Sequence, residues 1–335
     1  MIEIDGSYGE GGGQIVRTAV ALSAVTGRSV RVSKIRQGRS KPGLAAQHAR
    51  AVEALAQICD GDIYGVQPGS SEITFVPGPV QGGRYSIDIG TAGSITLLMQ
   101  CLLPAMVTAD GPVHLEITGG TDVRWSPTID YVRQVFMPAL REFGALVEIL
   151  EVRRGYYPRG GGFVALDVTP RALQPAELLE PVVSAIEGIS HSSNLPDHVA
   201  TRQAESARQK LQSAGYEAEI ATQITKSAST GSGITLWSGH KGGSALGERG
   251  VMAEVVGRTA AEELVKELTS PAAVDVYLAD QLIPYLVMAG GKITASELSR
   301  HAETNIWTAR HFFKSRIEVM NGEVFRIEAD PGFFA

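Results

Sequence analysis

From residue 11 to residue 52 the chain has no Asp or Glu, although its 335 residues include 36 acids and its net charge is −6. The same stretch holds Arg17, Arg28, Arg31, Lys34, Arg36, Arg39, Lys41 and Arg50. Such segregation of charge reads as an anion site. The stretch is entered through a glycine-rich run, DGSYGEGGGQIVR from Asp5 to Arg17. Glycines let backbone amides approach an anion, and the helix expected from about Gln14 to Val25 supplies unpaired N–H groups at its start. Arg17 near that start opposes the helix dipole unless a phosphate is bound beside it. A solvated face of surface arginines is the competing reading. The run is not a nucleoside-triphosphate loop of the GxxxxGKS/T type, and GxGxxG spacing fails at Gln14.

Of the seven histidines, His301 has the most chemical setting. It lies in SRHAETNI, residues 299–306, between an expected strand and an amphipathic helix that Thr304 or Asn305 could cap. A neutral imidazole is a nucleophile toward phosphorus or a proton carrier, and nearby arginines favour its neutral form. The segment also reads as a surface histidine beside a cap. His191 and His198 flank NLPD at a spacing that fits no zinc pattern, so they are read as structural, with capping near Asp197. His114, His240 and His311 receive no role.

These groups need elements to position them, and one order of elements recurs three times. It is strand, small-residue loop, apolar helix, strand, amphipathic helix and hairpin. The first copy runs from Ile2 through helices 14–25 and 43–59 to strands near Ile63 and Ile73. The second starts at 85–89, crosses the loop 90–94, and continues through helix 95–107, strand 113–117, helix 128–143 and strands 146–152 and 163–168. The third is interrupted. Its opening strand is expected at 163–168, but its apolar helix, 274–288, comes about a hundred residues later. Strand 292–295, helix 305–313 and a hairpin turned by Asn321-Gly322 complete it. The intervening residues supply strand 182–188, helix 197–214, strands 217–224 and 234–238, and helix 250–268. Loops 9–13, 90–94 and the segment after Ala295 could then converge on one cleft.

A 44% hydrophobic chain of this length can bury a full core in two domains. Its net negative charge argues against a coat for nucleic acid, while a local basic patch suits a grip on one phosphorylated end. Cys59 and Cys101 are too few for a disulfide framework and fit a reducing compartment. No signal peptide or membrane-length apolar run is read, so the expectation is a cytoplasmic protein without a membrane partner.

Seven blocks in order resemble the RNA 3′-terminal phosphate cyclases. They are DGSYGEGGGQIVRTA from Asp5, IRQGRSKPGL from Ile35 with Gln47 and His48, IGTAGS from Ile89, GGTD from Gly119, RGYYPRGGG from Arg154, YLADQL from Tyr277 and HAETNI from His301. The resemblance spans nearly the whole chain. It implies an α+β fold of three repeated α/β units, shared with the enolpyruvyl transferases, with an inserted small thioredoxin-like domain. Residues 1–174 and 272–335 would form the large catalytic domain and 175–271 the insert.

The activity implied is ATP-dependent conversion of an RNA 3′-terminal phosphate to a 2′,3′-cyclic phosphodiester. A histidine–AMP intermediate at His301 and an RNA-adenylate anhydride would lie on the path, with AMP and pyrophosphate released. By resemblance, Arg17, Arg36, Arg39, Gln47 and His48 face the RNA phosphate, and Gln100, Pro127, Tyr277, Asp280, Gln281 and His301 face ATP or AMP. Glu10 would help hold Mg2+ or Mn2+; by itself it also reads as a carboxylate complementing the helix start. The chain departs from some bacterial members at GSALGERG from Gly243, where Ser244 and Ala245 stand in place of aromatics near adenine. Trp237 is one neighbour that could fill that space. The implied partners are RNA with a 3′-phosphate end, ATP and a second copy in a homodimer. A non-catalytic RNA-binding relative serving ribosome assembly, lacking the nucleophile, is the alternative, and an enolpyruvyl transferase on the same scaffold is a third reading.

Overall fold

Residues 1–332 are described in the computed structural model of the chain. Ile2–Asp5 (β1) buries Ile2 and Ile4 and exposes Glu3, the alternation of a strand covered on one face. Gly13–Thr26 (α1) follows, then Val30–Ser33 (β2), Ala46–Cys59 (α2), Asp62–Tyr64 (β3) and Ile73–Val76 (β4). The strands form a sheet in the order β1-β2-β4-β3, with β1 and β2 parallel and the other pairs antiparallel.

The next unit is Gly83–Asp88 (β5), Ile95–Met106 (α3), Val113–Gly119 (β6), Ile129–Tyr131 (α4), Met137–Glu142 (α5), Leu146–Arg153 (β7) and Gly162–Thr169 (β8). Its sheet order is β5-β6-β8-β7, again with only the first pair parallel. Between α4 and α5 the helix widens into a π segment, Val132–Phe136, in which the Met137 N–H donates to the Val132 carbonyl. Pro138 accounts for this. It has no N–H for the Gln134 carbonyl and its ring would crowd that oxygen in a regular helix.

Ala176–Leu178 (β9) comes next. After it lies a separate group: Ile186–Ser193 (β10), His198–Ser213 (α6), Ala218–Thr225 (β11), Gly231–Ser238 (β12), Lys241–Leu246 (β13) and Ala253–Leu268 (α7). Its sheet runs β11-β10-β12-β13, and α6 and α7 bury Ala204, Ala207, Leu211, Ala260 and Leu264 in a core of its own. The chain then returns through Val276–Ala289 (α8), Gly291–Ala295 (β14), Arg300–Ala309 (α9), Ile317–Asn321 (β15) and Phe325–Ala329 (β16). The closing sheet is β15-β16-β14-β9, with β9 and β14 parallel. Three sheets therefore share one order and one sense of pairing, in a mixed α+β architecture.

The opening strand of the third sheet differs from the sequence expectation. Residues 163–168 belong to β8 of the second sheet, and β9 pairs with β14 instead. β9 is three residues long and carries no run of β-branched residues, so it gives little signal beside the eight-residue β8. The closing hairpin pairs Asn321 with Phe325, leaving a connection of residues 322–324 rather than a two-residue turn at Asn321-Gly322.

Helices α1, α3 and α8 are apolar on nearly every side, which requires cover all round. They find it centrally. α1 packs against α2, α3 and α9, and α3 packs against α8, within a core cluster that reaches all three sheets. The starts of α1, α2 and α9 are thereby brought together. No helix among the described residues is long and apolar enough to cross a membrane.

Candidate active site

Ser299 sets the position of His301. Its hydroxyl accepts from the Ala302 N–H at 3.0 Å, so α9 begins at Arg300 and His301 stands in its first turn. The sequence expectation of a loop histidine before a helix capped at Thr304 or Asn305 is corrected accordingly. Those two residues work inside the helix. Thr18 on α1 donates to Asn305 Oδ1 at 2.7 Å, and Asn305 Nδ2 donates to the Asp280 carbonyl of α8 at 2.8 Å. One buried amide thus locks three helices in register.

The glycine-rich loop lies against α9. Tyr8 stacks on Trp307 with ring centroids 4.0 Å apart and planes 8° from parallel. Gly9 has φ of +59°, and a side chain there would meet Thr304 Oγ1 at 2.6 Å, so only glycine allows this approach. Glu10 follows, with Oε2 3.6 Å from His301 Nε2 and 3.4 Å from an Arg39 nitrogen. Gln14, in the first turn of α1, donates from Nε2 to the His301 carbonyl at 3.2 Å and meets His301 Nδ1 through Oε1. Partial burial lowers the basicity of His301; Glu10 opposes this, and Arg17 and Arg39 add to it.

Behind the loop, the His48 ring lies over Gly13. A Cβ on Gly13 would fall 1.8 Å from His48 Nε2. His48 Nδ1 is 3.3 Å from an Arg17 nitrogen. Arginine only donates, so Nδ1 accepts and the His48 proton sits on Nε2, facing the glycine run. Burial, with Arg17 and Arg36 beside it, takes the His48 pKa down to about 3, which keeps the ring neutral. Arg36 donates to the Gly43 carbonyl at 3.1 Å. Gln47 lies against the second small-residue loop, within 3.3 Å of where a Gly93 side chain would begin.

Arg17 also lines a small cavity with Gln14, Gln100, Asp280, Gln281 and Asn305. Burial and the nearby Asp275 raise the Asp280 pKa to about 8, against the pull of Arg17. Gln281 Nε2 donates to the Tyr277 carbonyl at 2.9 Å, and Tyr277 itself is 54% exposed at the start of α8. Pro127 connects to this region less directly. Its carbonyl accepts from Thr96 at 2.8 Å, and four residues on, Tyr131 donates to Asp275, the cap of α8, at 2.8 Å. The structure therefore gathers Glu10, Arg17, Arg39, His48 and His301 tightly, with Arg36, Gln47, Gln100, Asp280 and Gln281 around them and Tyr277 and Pro127 on the periphery.

Other sequence candidates fall outside this cluster, Ser244 on its Tyr277 side through Glu263. Trp237 is 8% exposed and packs into the large core. Ser244 donates its N–H to Glu263 at 3.1 Å. Asp197 occupies the cap position of α6 without a side-chain cap bond. His191 is fully buried, bonded to the Tyr156 hydroxyl at 2.8 Å. It stands with Asp122 and Asp130 in a group whose ligand atoms are close enough for a metal. The Arg154 guanidinium already serves that group, at 3.2 Å from Asp122 and 2.8 Å from Asp130, with Gln223 of β11 at 2.7 Å. This is a buried ion network joining the second sheet to the β10–β13 group. Gln14 and Asn305 hold roles that sequence reasoning does not assign: Gln14 reads there as the helix start and the break in GxGxxG spacing, and Asn305 as a candidate cap.

A histidine facing a glycine-rich helix start, with Arg17 and Arg39 beside it and Arg39 paired to Glu10, suits phosphate chemistry on an α+β scaffold. A family model for RNA 3′-terminal phosphate cyclase matches residues 8–319. An RNA 3′-terminal phosphate cyclase from Methanosarcina barkeri is 53% identical, covering 100% of this chain and 98% of the relative. One from Archaeoglobus fulgidus is 53% identical over 93% and 95%, and one from Pyrococcus furiosus 49% over 96% of each. The chain belongs to the RNA 3′-terminal phosphate cyclase family. An EPSP synthase structure from Acinetobacter baumannii aligns at TM-score 0.29 and 10% identity, over 95% of this chain and 63% of that one, too low a likeness to carry an argument.

Proposed function

We propose that the protein converts an RNA 3′-terminal phosphate to a 2′,3′-cyclic phosphodiester at the expense of ATP. The observation that carries this reading is the seating of His301 against Glu10, Arg39 and Gln14 at the mouth of the arginine-lined glycine loop. In the first step His301 Nε2 attacks the α-phosphorus of ATP, a P–N bond forms and pyrophosphate leaves. In the second, an oxygen of the RNA 3′-phosphate attacks the same phosphorus, the P–N bond breaks and a phosphoanhydride joins RNA to AMP. In the third, the terminal 2′-hydroxyl loses its proton and attacks the 3′-phosphorus, expelling AMP.

Each step crowds negative charge, and the residues present answer it. Arg17, Arg36 and Arg39 offer guanidinium forks to phosphate oxygens, and Gln47 and neutral His48 add donors without competing charge. Tyr277 and Pro127 would flank the adenine, with Gln100, Asp280 and Gln281 near the nucleotide. Glu10, half-exposed and 3.6 Å from His301 Nε2, is a hard oxygen donor that suits Mg2+ or Mn2+ shared with substrate phosphates. Such an ion, when bound, would neutralise charge on the triphosphate.

The finer organisation belongs to the same proposal. Residues 1–174 and 272–335 would form a catalytic body of three repeated units, to which β9 also belongs, and the remainder of 175–271 a thioredoxin-like insert. RNA and ATP are its partners, with pairing into a homodimer taken over from the resemblance and a cytoplasmic location from the expectation of a reducing compartment. The test is direct. An RNA bearing a labelled 3′-phosphate, incubated with ATP and Mg2+, should acquire phosphatase resistance that acid opening of the cyclic diester removes. Persistent phosphatase sensitivity at every ATP concentration would reject the activity.

A further inference from the structure

We infer that Gln14 is a positioning residue that fixes the tautomer and ring plane of His301, so that Nε2 carries the reactive lone pair. The inference rests on the proposed role of His301. Gln14 and His301 are 287 residues apart in sequence, yet one side-chain amide engages both the backbone and the ring of the same histidine. The two contacts determine each other. A carbonyl oxygen only accepts, so the Gln14 atom bonded to the His301 carbonyl at 3.2 Å is its NH2 group. The Gln14 oxygen then faces Nδ1. An amide oxygen also only accepts, so Nδ1 must carry the ring proton.

With the proton on Nδ1, Nε2 is left with an in-plane lone pair. That nitrogen is the one turned toward Glu10, whose carboxylate Arg39 meets at 3.4 Å. The opposite tautomer would set two acceptors in direct contact at Nδ1 and cap the reactive nitrogen with hydrogen, whereas Nε2 and Glu10 Oε2 stand 3.6 Å apart, beyond hydrogen-bond range. The backbone bond does separate work, holding the first turn of α9 so the ring cannot swing away from the loop. Gln14 has the means to do this because it sits in the first turn of α1, which Thr18 and Asn305 hold in register with α9.

The test pairs a spectroscopic readout with a kinetic one. In protein carrying 15N-labelled histidine, the His301 ring, assigned by its loss in His301→Ala, should show a protonated Nδ1 and a pyridine-like Nε2. Gln14→Ala should shift it toward the Nε2-protonated form, and Gln14→Glu, which keeps an acceptor at Nδ1, should restore the first pattern. Single-turnover formation of protein-bound AMP should slow about ten- to a hundredfold in Gln14→Ala, with ATP affinity changed less than about threefold. Thermal unfolding confirms that the variants are folded. A wild-type ring protonated on Nε2, or a Gln14→Ala protein that loads AMP at the wild-type rate, overturns the inference. Absence of AMP loading in the wild type instead overturns the parent activity, and the tautomer spectrum then decides the Gln14 contact alone.

Discussion

Gly13→Ala is the substitution whose outcome the geometry specifies most closely. Gly13 opens α1 with an ordinary helical backbone, so alanine there should gain up to about 1 kcal/mol of helix propensity. Its methyl, however, would lie 1.8 Å from His48 Nε2, 2.3 Å from Cδ2 and 2.4 Å from Cε1. Carbon atoms pack at about 3.5–4 Å, so the whole ring must move by more than an ångström. His48 is only 6% exposed, and forcing a buried group aside costs about 1–3 kcal/mol. The net destabilisation should be about 0–3 kcal/mol, leaving the protein folded. The functional loss should be larger. Displacing the ring breaks its 3.3 Å contact with Arg17, and a hydrogen bond to a charged group is worth about 1.5–3 kcal/mol, roughly a ten- to hundredfold effect. The assay is the KM for RNA 3′-phosphate, with single-turnover AMP loading and thermal unfolding measured on the same preparation. Transfer to RNA should weaken well beyond any change in AMP loading. A variant matching wild type in both steps would refute the placement of His48 over Gly13 as a functional contact.

Two further outcomes follow from buried charge. Arg154→Met removes the cation between Asp122 and Asp130 and strands both carboxylates, which should cost about 3–5 kcal/mol in urea unfolding at pH 7; a loss below about 1 kcal/mol would contradict the network. Asp280, held up to about 8 from an ordinary carboxylate value of 3.8, keeps a proton in the folded state that the unfolded chain releases. Its contribution to stability is therefore complete below about pH 4 and is lost as pH rises toward and through 8. Asp280→Asn should flatten that part of the stability profile, and an unchanged slope in denaturation midpoints between pH 5 and 8 would contradict a protonated Asp280.

Legibility of this chain followed the range of the interactions involved. Helices α1 and α3 are plain in the sequence because long apolar runs between glycine- or serine-bearing loops leave few other options. The basic, acid-free stretch and the seven motif blocks also carry their meaning locally. β9 is obscure because three residues, Ala176–Leu178, are too few to show a period. The start of α9 was hidden by competition among Ser299, Thr304 and Asn305 as caps, with Glu303 one place beyond the capping-box position after Ser299. Gln14, Asn305 and Arg154 owe their roles to partners in other elements, which no local pattern announces.

The central claim is that His301 becomes covalently attached to AMP, and labelled protein measures it most directly. After incubation with α-labelled ATP and Mg2+, label should co-migrate with the polypeptide, release in acid, and map by peptide sequencing to His301. It should be absent from His301→Ala. Label retained by His301→Ala, or a wild-type protein that cyclises RNA ends while never carrying AMP, would contradict the account.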